Sequence, residues 1–318
     1  MKIKNSAMNG PGGSGYSIRL SDIGLRVSVL ADATFAHLGT ADDAQPGALA
    51  YCENEHYLAV ALANPNVAAI LVREEHLKRS EQQSPIRSGL GIAITGQPKV
   101  VYWGLHNRLV SEGTLHPPME MEFGIGSHVH VHPSASISPL SRIGDRSQIG
   151  PGAVVDDYSI IGEGCRLGPG AVVGAEGLQT VTDGNTLISV RHGGGARLGD
   201  GVTVLANAVV SRAARPVFTE VGNDCVISIL SSVGHRSNLG RGCQLAGNVV
   251  VGGSVRMGEF VWVGPAACIK DGLRIGHRAQ IKLGSVVVSD VPDDGVVSGN
   301  FAIPHRRNLL RHAGSLRD

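Results

Sequence analysis

The chain has 318 residues, with 28 Lys and Arg against 27 Asp and Glu, and a formal net charge of +1. Charged residues make up only 17% and form no long basic or acidic run, which argues against a nucleic-acid partner or an acidic tail. No apolar run reaches membrane-spanning length, the N-terminus lacks an apolar signal core, and the five cysteines show no CxxC pairing. No integral membrane segment and a reducing, cytoplasmic setting are therefore expected.

Residues 1–16, with "MNGPGGSG", read as a flexible leader. Residues 17–115 read as a mixed α/β domain. "EHYLAVALAN" predicts a helix and "VAAILV" a buried strand. "GIAIT" predicts another strand. "PKVVYWGLHNRLV" predicts a helix with Pro98 in its first turn. A linker, "SEGTLHPPMEMEFG", follows. Within this domain "PGALAYCENEHYL" sets Tyr51, Asn54 and Tyr57 three residues apart. Two rings and an amide suit a pyrimidine, since rings stack on its faces and an amide pairs with its edge. The same spacing also fits one helix face packed on a core.

Beyond residue 124 the chain changes character. Stepping by six from Ile125 meets Val131, Ile137, Ile143, Ile149, Val155, Ile161, Leu167 and Val173, aliphatic at every step. The phase resumes at Leu198, Val204 and Val210, and again from Val221 through Val233, Val251 and Ile269 to Val287. A glycine often follows the aliphatic, and a small residue such as Ser147, Ala153 or Cys165 sits four positions after it. A period of six is neither 3.6 nor 2. It predicts a mainly β prism over 124–292, three short faces to a coil, with adjacent coils pairing as parallel strands. The glycine is expected to ease the turn. Cys165, Cys225 and Cys243 fall at the small inward position and are expected to pack; Cys52 and Cys268 have no evident partner. The two breaks, 174–197 and 211–220, are loops thrown out of the prism, expected to serve binding. Residues 293–318 form a short basic tail.

The run "GSHVHVHPSAS" carries His128, His130 and His132. Histidine is the commonest metal ligand. The hexad frame, however, turns Ile125, Val131 and Ile137 inward and the three histidines outward on one rim. No metal site is assigned.

The pattern resembles the hexapeptide-repeat proteins, which implies that the prism is a left-handed parallel β-helix. An α/β domain, a prism and a tail together resemble the UDP-3-O-(3-hydroxyacyl)glucosamine N-acyltransferases (UDP-3-O-acylglucosamine N-acyltransferases) of lipid A synthesis. That resemblance implies a homotrimer that moves an acyl chain from acyl carrier protein to the amine of a UDP-sugar. It implies a uridine site at Tyr51, Asn54 and Tyr57 and a catalytic base at His235, in "SSVGHRSNLG". The family's Asp-Asn pair before that histidine is Ser228 and Ile229 here, its second histidine falls on Gly272, and its aromatic "GFGY" is "GLQT" (Gly177 to Thr180). Backbone at Gly252, Gly253 or Gly272 is the candidate for oxyanion or pantetheine contacts. His192, Arg212 and Arg236 are candidates for substrate phosphates, and Arg256, Arg274, Arg306 and Arg307 for phosphates or an acidic carrier protein. No cofactor is implied beyond the acyl donor, borne on phosphopantetheine or CoA. Three other readings stay open: transfer from a short-chain acyl-CoA to another nucleotide amino sugar, a γ-carbonic-anhydrase-like zinc protein, and a non-catalytic β-helix.

Overall fold

The computed structural model describes residues 17–24, 26–81, 86–117 and 122–299. The predicted leader, Arg306 and Arg307 lie outside the described residues. The chain forms two units: Met1–Glu122 with Glu176–Gly195 and Ala213–Phe218, and Phe123–Ala175 with Ala196–Arg212 and Thr219–Asp318.

The first unit is a five-stranded sheet in the order Ser28–Ala31, Gly91–Ile94, Val67–Val72, Ala48–Cys52, His37–Leu38. The first pair is antiparallel and the rest are parallel. Both faces are covered, so the central strands read as nearly continuous apolar runs. Leu49, Leu71 and Ala93 pack with Tyr102, Leu105 and Leu109 of α3 (Pro98–Ser111). Ala50, Ile70 and Val72 pack with Leu58 of α1 (Glu55–Ala63) and Leu77 of α2 (Glu74–Glu81). Pro98 stands at the start of α3, where its missing N–H costs no intrahelical bond.

The two excursions behave differently from the expected loops. Residues 176–195 form an antiparallel hairpin, Thr180–Asp183 with Thr186–Ser189, whose Val181 enters the core under α3. Asn107 clamps this segment, donating to the Ser189 carbonyl and accepting from the Arg191 N–H, both at 2.8 Å. His106 Nε2 bonds the Arg191 carbonyl at 2.9 Å, and burial pushes its pKa down to about 4. From the second excursion Arg215 lays its guanidinium over the rings of Tyr102 and Trp103, 5.6 and 5.7 Å from their centroids. Much of both segments therefore serves packing.

The second unit is a prism, the left-handed parallel β-helix of hexapeptide repeats. Its first, second and third faces hold eight, nine and eight strands. Each strand pairs with the one a full coil later, as Ile137 with Val155, and Val233 with Val251 and then Ile269. The inward aliphatics fill the axis: Ile143, Ile227 and Val233 are fully buried. Ile125, expected as an inward corner, is 55% exposed, because it heads the first face and pairs only with Ile143. At the other end the prism outruns the hexad count. Val291 bridges to Ile275, and Val296–Val297 adds a further rung.

The corners correct the reading of the glycines. The left-handed backbone falls three residues after the aliphatic, at His128, Tyr158, Arg236 and Phe260, with φ between 56° and 60°. The glycine one residue after it serves proximity instead. A Cβ on Gly144 would lie 2.6 Å from the Gly162 carbonyl carbon, and one on Gly234 equally close to that of Gly252. The small inward residues also donate hydrogen bonds. Ser147 and Ser237 hydroxyls reach the Gly162 and Gly252 carbonyls at 3.0 and 2.9 Å. Cys165, Cys225 and Cys243 do the same to Gly199, Gly240 and Gly258 at 3.0–3.1 Å. These thiols satisfy buried carbonyls as well as filling space.

Candidate active site

His235 stands two residues past the inward Val233, at the corner where the third face gives way to the first. Its ring lies against the next coil: a Cβ on residue 253 would sit 2.7 Å from Nε2, so only glycine accommodates this ring position. The next residue down the same corner is Asp271. His235 is half-buried, and its pKa is lowered by burial first and by Arg236 second, against the opposing charge of Asp271. The imidazole is therefore neutral at pH 7, the form a general base requires. Arg236 is exposed, and its N–H donates to Thr219 Oγ1 at 2.7 Å.

Of the three glycines proposed for an oxyanion, two have committed N–H groups. That of Gly252 donates to the Ile269 carbonyl, and that of Gly272 to the Gly253 carbonyl, both at 2.9 Å. The Gly253 N–H donates to no carbonyl among the described residues.

The faces meeting at this corner differ in chemistry. Outward residues of the third face are mostly apolar: Val154, Val172, Val209, Ser232, Val250, Cys268 and Val286 from coil to coil. Val250 is 46% and Val286 71% exposed. Outward residues of the first face run Ile160, Arg197, Glu220, Asn238, Arg256 and Arg274 from coil to coil, with Arg197 paired to Glu220. His235 thus stands between an apolar ladder and a polar face that turns cationic one coil below it.

In the first unit the tyrosine motif straddles a strand and a helix, so it is not one helix face. Tyr51 lies on the strand Ala48–Cys52, its ring 4.8 Å from that of Tyr102. Asn54 is the N-cap of α1, its Oδ1 accepting from the Tyr57 N–H at 3.1 Å. Tyr57 is 51% exposed. Of the two rings, that of Tyr57 is the exposed one, and Tyr51 is partly buried. The Asn54 carbonyl already has a partner.

Beside this motif is a cleft of about 570 Å³, lined by Glu53, Arg73, Pro98, Lys99, Thr180 and Thr182 among others. It lies past the carboxyl ends of the parallel strands, where open α/β sheets take their ligands. Residues 180–182 of the first excursion line it, so that segment contributes to a cleft as well as to packing. Arg73 and Lys99 are cations the sequence reading missed; they follow a strand end and a helix-initiating Pro98, which is the signal available for them.

His192 departs from its expected phosphate role. It is 2% exposed, its N–H donates to Glu176 Oε1 at 3.1 Å, and its Nε2 accepts from the Gly177 N–H at 3.2 Å. Burial and that bond fit a structural histidine. Arg212 is largely buried, 4.0 Å from the Asp156 carboxylate. His128, His130 and His132 are all exposed, and His132 Nδ1 meets the Ser134 hydroxyl at 2.9 Å. Among the described residues no three His, Cys, Asp or Glu side chains gather as a metal-ligand set.

The bacterial transferase hexapeptide family (six repeats) matches residues 140–175. A UDP-3-O-acylglucosamine N-acyltransferase of Delftia acidovorans is 28% identical over 145 residues, 46% of this chain and 43% of that protein. A probable mitochondrial one of Arabidopsis thaliana is 28% identical over 118 residues, 36% of this chain and 38% of its own. This chain is a divergent hexapeptide-repeat relative of the UDP-3-O-acylglucosamine N-acyltransferases. It spans less than half the length of the curated relatives it matches. Among solved structures, the UDP-N-acetylglucosamine acyltransferase from Campylobacter jejuni shares the fold, with a TM-score of 0.50 and 24% identity over 57% of this chain and 69% of its own.

As a divergent relative, the chain carries its departures where the geometry can be read. Ile229 is 47% exposed at the corner between the second and third faces, an apolar side chain in place of the family's acid-amide pair. Gly272, at the second histidine's position, has φ +74° and no side chain to offer. Leu178, within "GLQT", is 90% exposed. Asp271 was missed by the sequence reading, although two coils of eighteen residues lead to it directly from His235.

Proposed function

We propose that this protein is an N-acyltransferase that moves an acyl group from a phosphopantetheine thioester on acyl carrier protein to the amine of a UDP-amino sugar, as in lipid A assembly. The setting of His235 carries this reading: a half-buried, neutral imidazole between an apolar ladder and a polar face that turns cationic one coil below. In the proposed step His235 takes a proton from the sugar amine as its nitrogen attacks the thioester carbonyl carbon. The Gly253 N–H faces the oxyanion that forms. Collapse breaks the C–S bond, and the imidazolium returns its proton to the departing thiolate. The acyl chain lies along the third face, where Ser232 to Val286 spans three coil steps, about 14 Å. Uridine takes the Tyr51, Asn54 and Tyr57 motif.

Names of the relatives support the donor and acceptor classes. One, from Burkholderia orbicola, is an acyl-[acyl-carrier-protein]–UDP-N-acetylglucosamine O-acyltransferase, 31% identical over 30% of this chain and 37% of its own. Exposed valines on the third face support a homotrimer, in which neighbouring copies shelter the acyl chain. Five free cysteines, four of them buried, and no described helix long and apolar enough to cross a membrane agree with a cytoplasmic enzyme.

The test is a panel of acyl-carrier-protein and acyl-CoA donors of graded chain length with UDP-GlcN-type acceptors. Turnover with long-chain carrier-borne donors is the expected result. Turnover confined to short acyl-CoA moves the assignment to the CoA-dependent reading. No turnover, with stoichiometric zinc in the purified protein, moves it to the zinc reading.

A further inference from the structure

His235, Gly253 and Asp271 each stand two residues past an inward aliphatic, Val233, Val251 and Ile269, and those three pair rung on rung. The Gly253 rung carries no side chain, and the His235 ring takes that space, its Nε2 2.7 Å from where a Cβ would lie. The ring thus leans one coil along the corner, toward Asp271. Asp271 follows at once: a Cβ on Gly252 would lie 2.5 Å from the Asp271 backbone nitrogen. The rung that the imidazole occupies and the rung of the carboxylate are therefore one coil step apart, about 4.8 Å.

Asp271 is exposed, and its carboxylate takes part in no hydrogen bond or ion pair among the described residues. Its charge still reaches His235, opposing the burial that keeps the imidazole neutral. A neutral imidazole accepts a hydrogen bond through its bare nitrogen, and an ionised carboxylate only accepts. Bonds of roughly 2.9 Å to each span a step of that length. An atom held by both must carry two protons to donate. A hydroxyl has one and satisfies one acceptor; an ammonium has three and satisfies both.

We infer that Asp271 binds the acceptor as its ammonium ion and so selects an amine over a hydroxyl at the His235 corner. The inference rests on the acyl-transfer reading for the reaction, while the ammonium site itself can be measured without turnover. An ordinary amine is mostly protonated at pH 7, so the ammonium is the form that arrives. It loses its first proton to water past the exposed carboxylate, which stays ionised throughout. The neutral amine then gives a second proton to His235 as its lone pair forms the C–N bond and the thioester C=O pair moves onto oxygen. Collapse breaks the C–S bond, and the imidazolium protonates the thiolate. Ammonium and thioester become amide, thiol and one released proton. Between these steps the negative charge of Asp271 favours the imidazolium.

The experiment is calorimetric titration of the full chain with UDP-glucosamine and UDP-glucose, which differ only as amine and hydroxyl, at low and high salt. Wild type is expected to bind the amine roughly tenfold more tightly at low salt, and less selectively at high salt. Asp271→Asn abolishes the preference and leaves UDP-glucose binding and the melting temperature unchanged. Asp271→Glu retains part of it. In steady-state transfer Asp271→Asn raises KM for the amine acceptor about tenfold, with a smaller change in kcat. Equal binding of the two sugars to wild type overturns the proposal, as does a preference that survives Asp271→Asn. A fall in kcat with KM unmoved assigns Asp271 to His235 alone and overturns the ammonium role. An intact preference for the amine in a protein that transfers no acyl group keeps the site and overturns the enzymatic reading alone.

Discussion

The two units bury their strands in opposite ways. In the prism most strands are two residues long, one inward and one outward, so Ile227 is fully buried while Val226 beside it is 37% exposed. In the α/β unit the central strands are covered on both faces, so adjacent Ile70 and Leu71 are both fully buried. A one-sided strand leaves half its side chains for binding, and the prism uses them as continuous ladders. A two-sided strand leaves only its ends, and the α/β unit places its cleft there. The same β geometry thus puts candidate function on the faces of one unit and at the strand ends of the other.

The largest expected effects test this difference directly. In the prism, Ile227→Asp buries an unpaired charge and prevents folding, whereas Val226→Asp changes stability by no more than about 0.5 kcal/mol. In the α/β unit both Ile70→Asp and Leu71→Asp prevent folding. Soluble yield and thermal melting read all four; a tolerated Ile227→Asp would break the contrast. A smaller effect separates the glycines. Gly234→Ala drives a Cβ into the backbone of the next coil and is expected to cost about 1–3 kcal/mol. Gly104→Ala, in α3 with nothing within 4 Å of the new Cβ, is expected to stabilise by up to ~1 kcal/mol. Denaturant midpoints of opposite sign are the check.

The smallest effect concerns the pH profile. The lowered pKa of His235 places the acid limb of kcat/KM below the ordinary histidine value near 6.5. Arg236 disfavours the imidazolium, so Arg236→Gln moves that limb up. Asp271 favours it, so Asp271→Asn moves the limb further down. Shifts of the same sign in both variants would mean that another group is titrating.

The contrast also explains what could be read from the sequence. With a period of six, residue number becomes a spatial coordinate: eighteen residues is one coil, and His235, Gly253 and Asp271 must share a corner. The outward histidines of the first rim and the inward cysteines followed from the same arithmetic. Where coils lack a neighbour, as at Ile125, the arithmetic still gives direction but not burial. It also misassigned the corner glycines, because proximity between coils leaves no mark distinct from turn freedom. The α/β unit has no such coordinate. Its helices α1 and α3 were legible from their apolar pattern and Pro98, but the polar α2 and the short strand Ser28–Ala31 were not. Tyr51, Asn54 and Tyr57 were found by spacing alone, which hides that one sits on a strand and another caps a helix. His192 looked available because its burial depends on contacts with Glu176 and Gly177 across a hairpin.

The central claim is that His235 is the base of an acyl transfer, and single-turnover kinetics of a His235→Ala variant test it most directly. The account predicts a fall of roughly 10²–10⁴ in the rate of amide formation, with the melting temperature and UDP binding unchanged. An unchanged rate in a folded His235→Ala variant would contradict it.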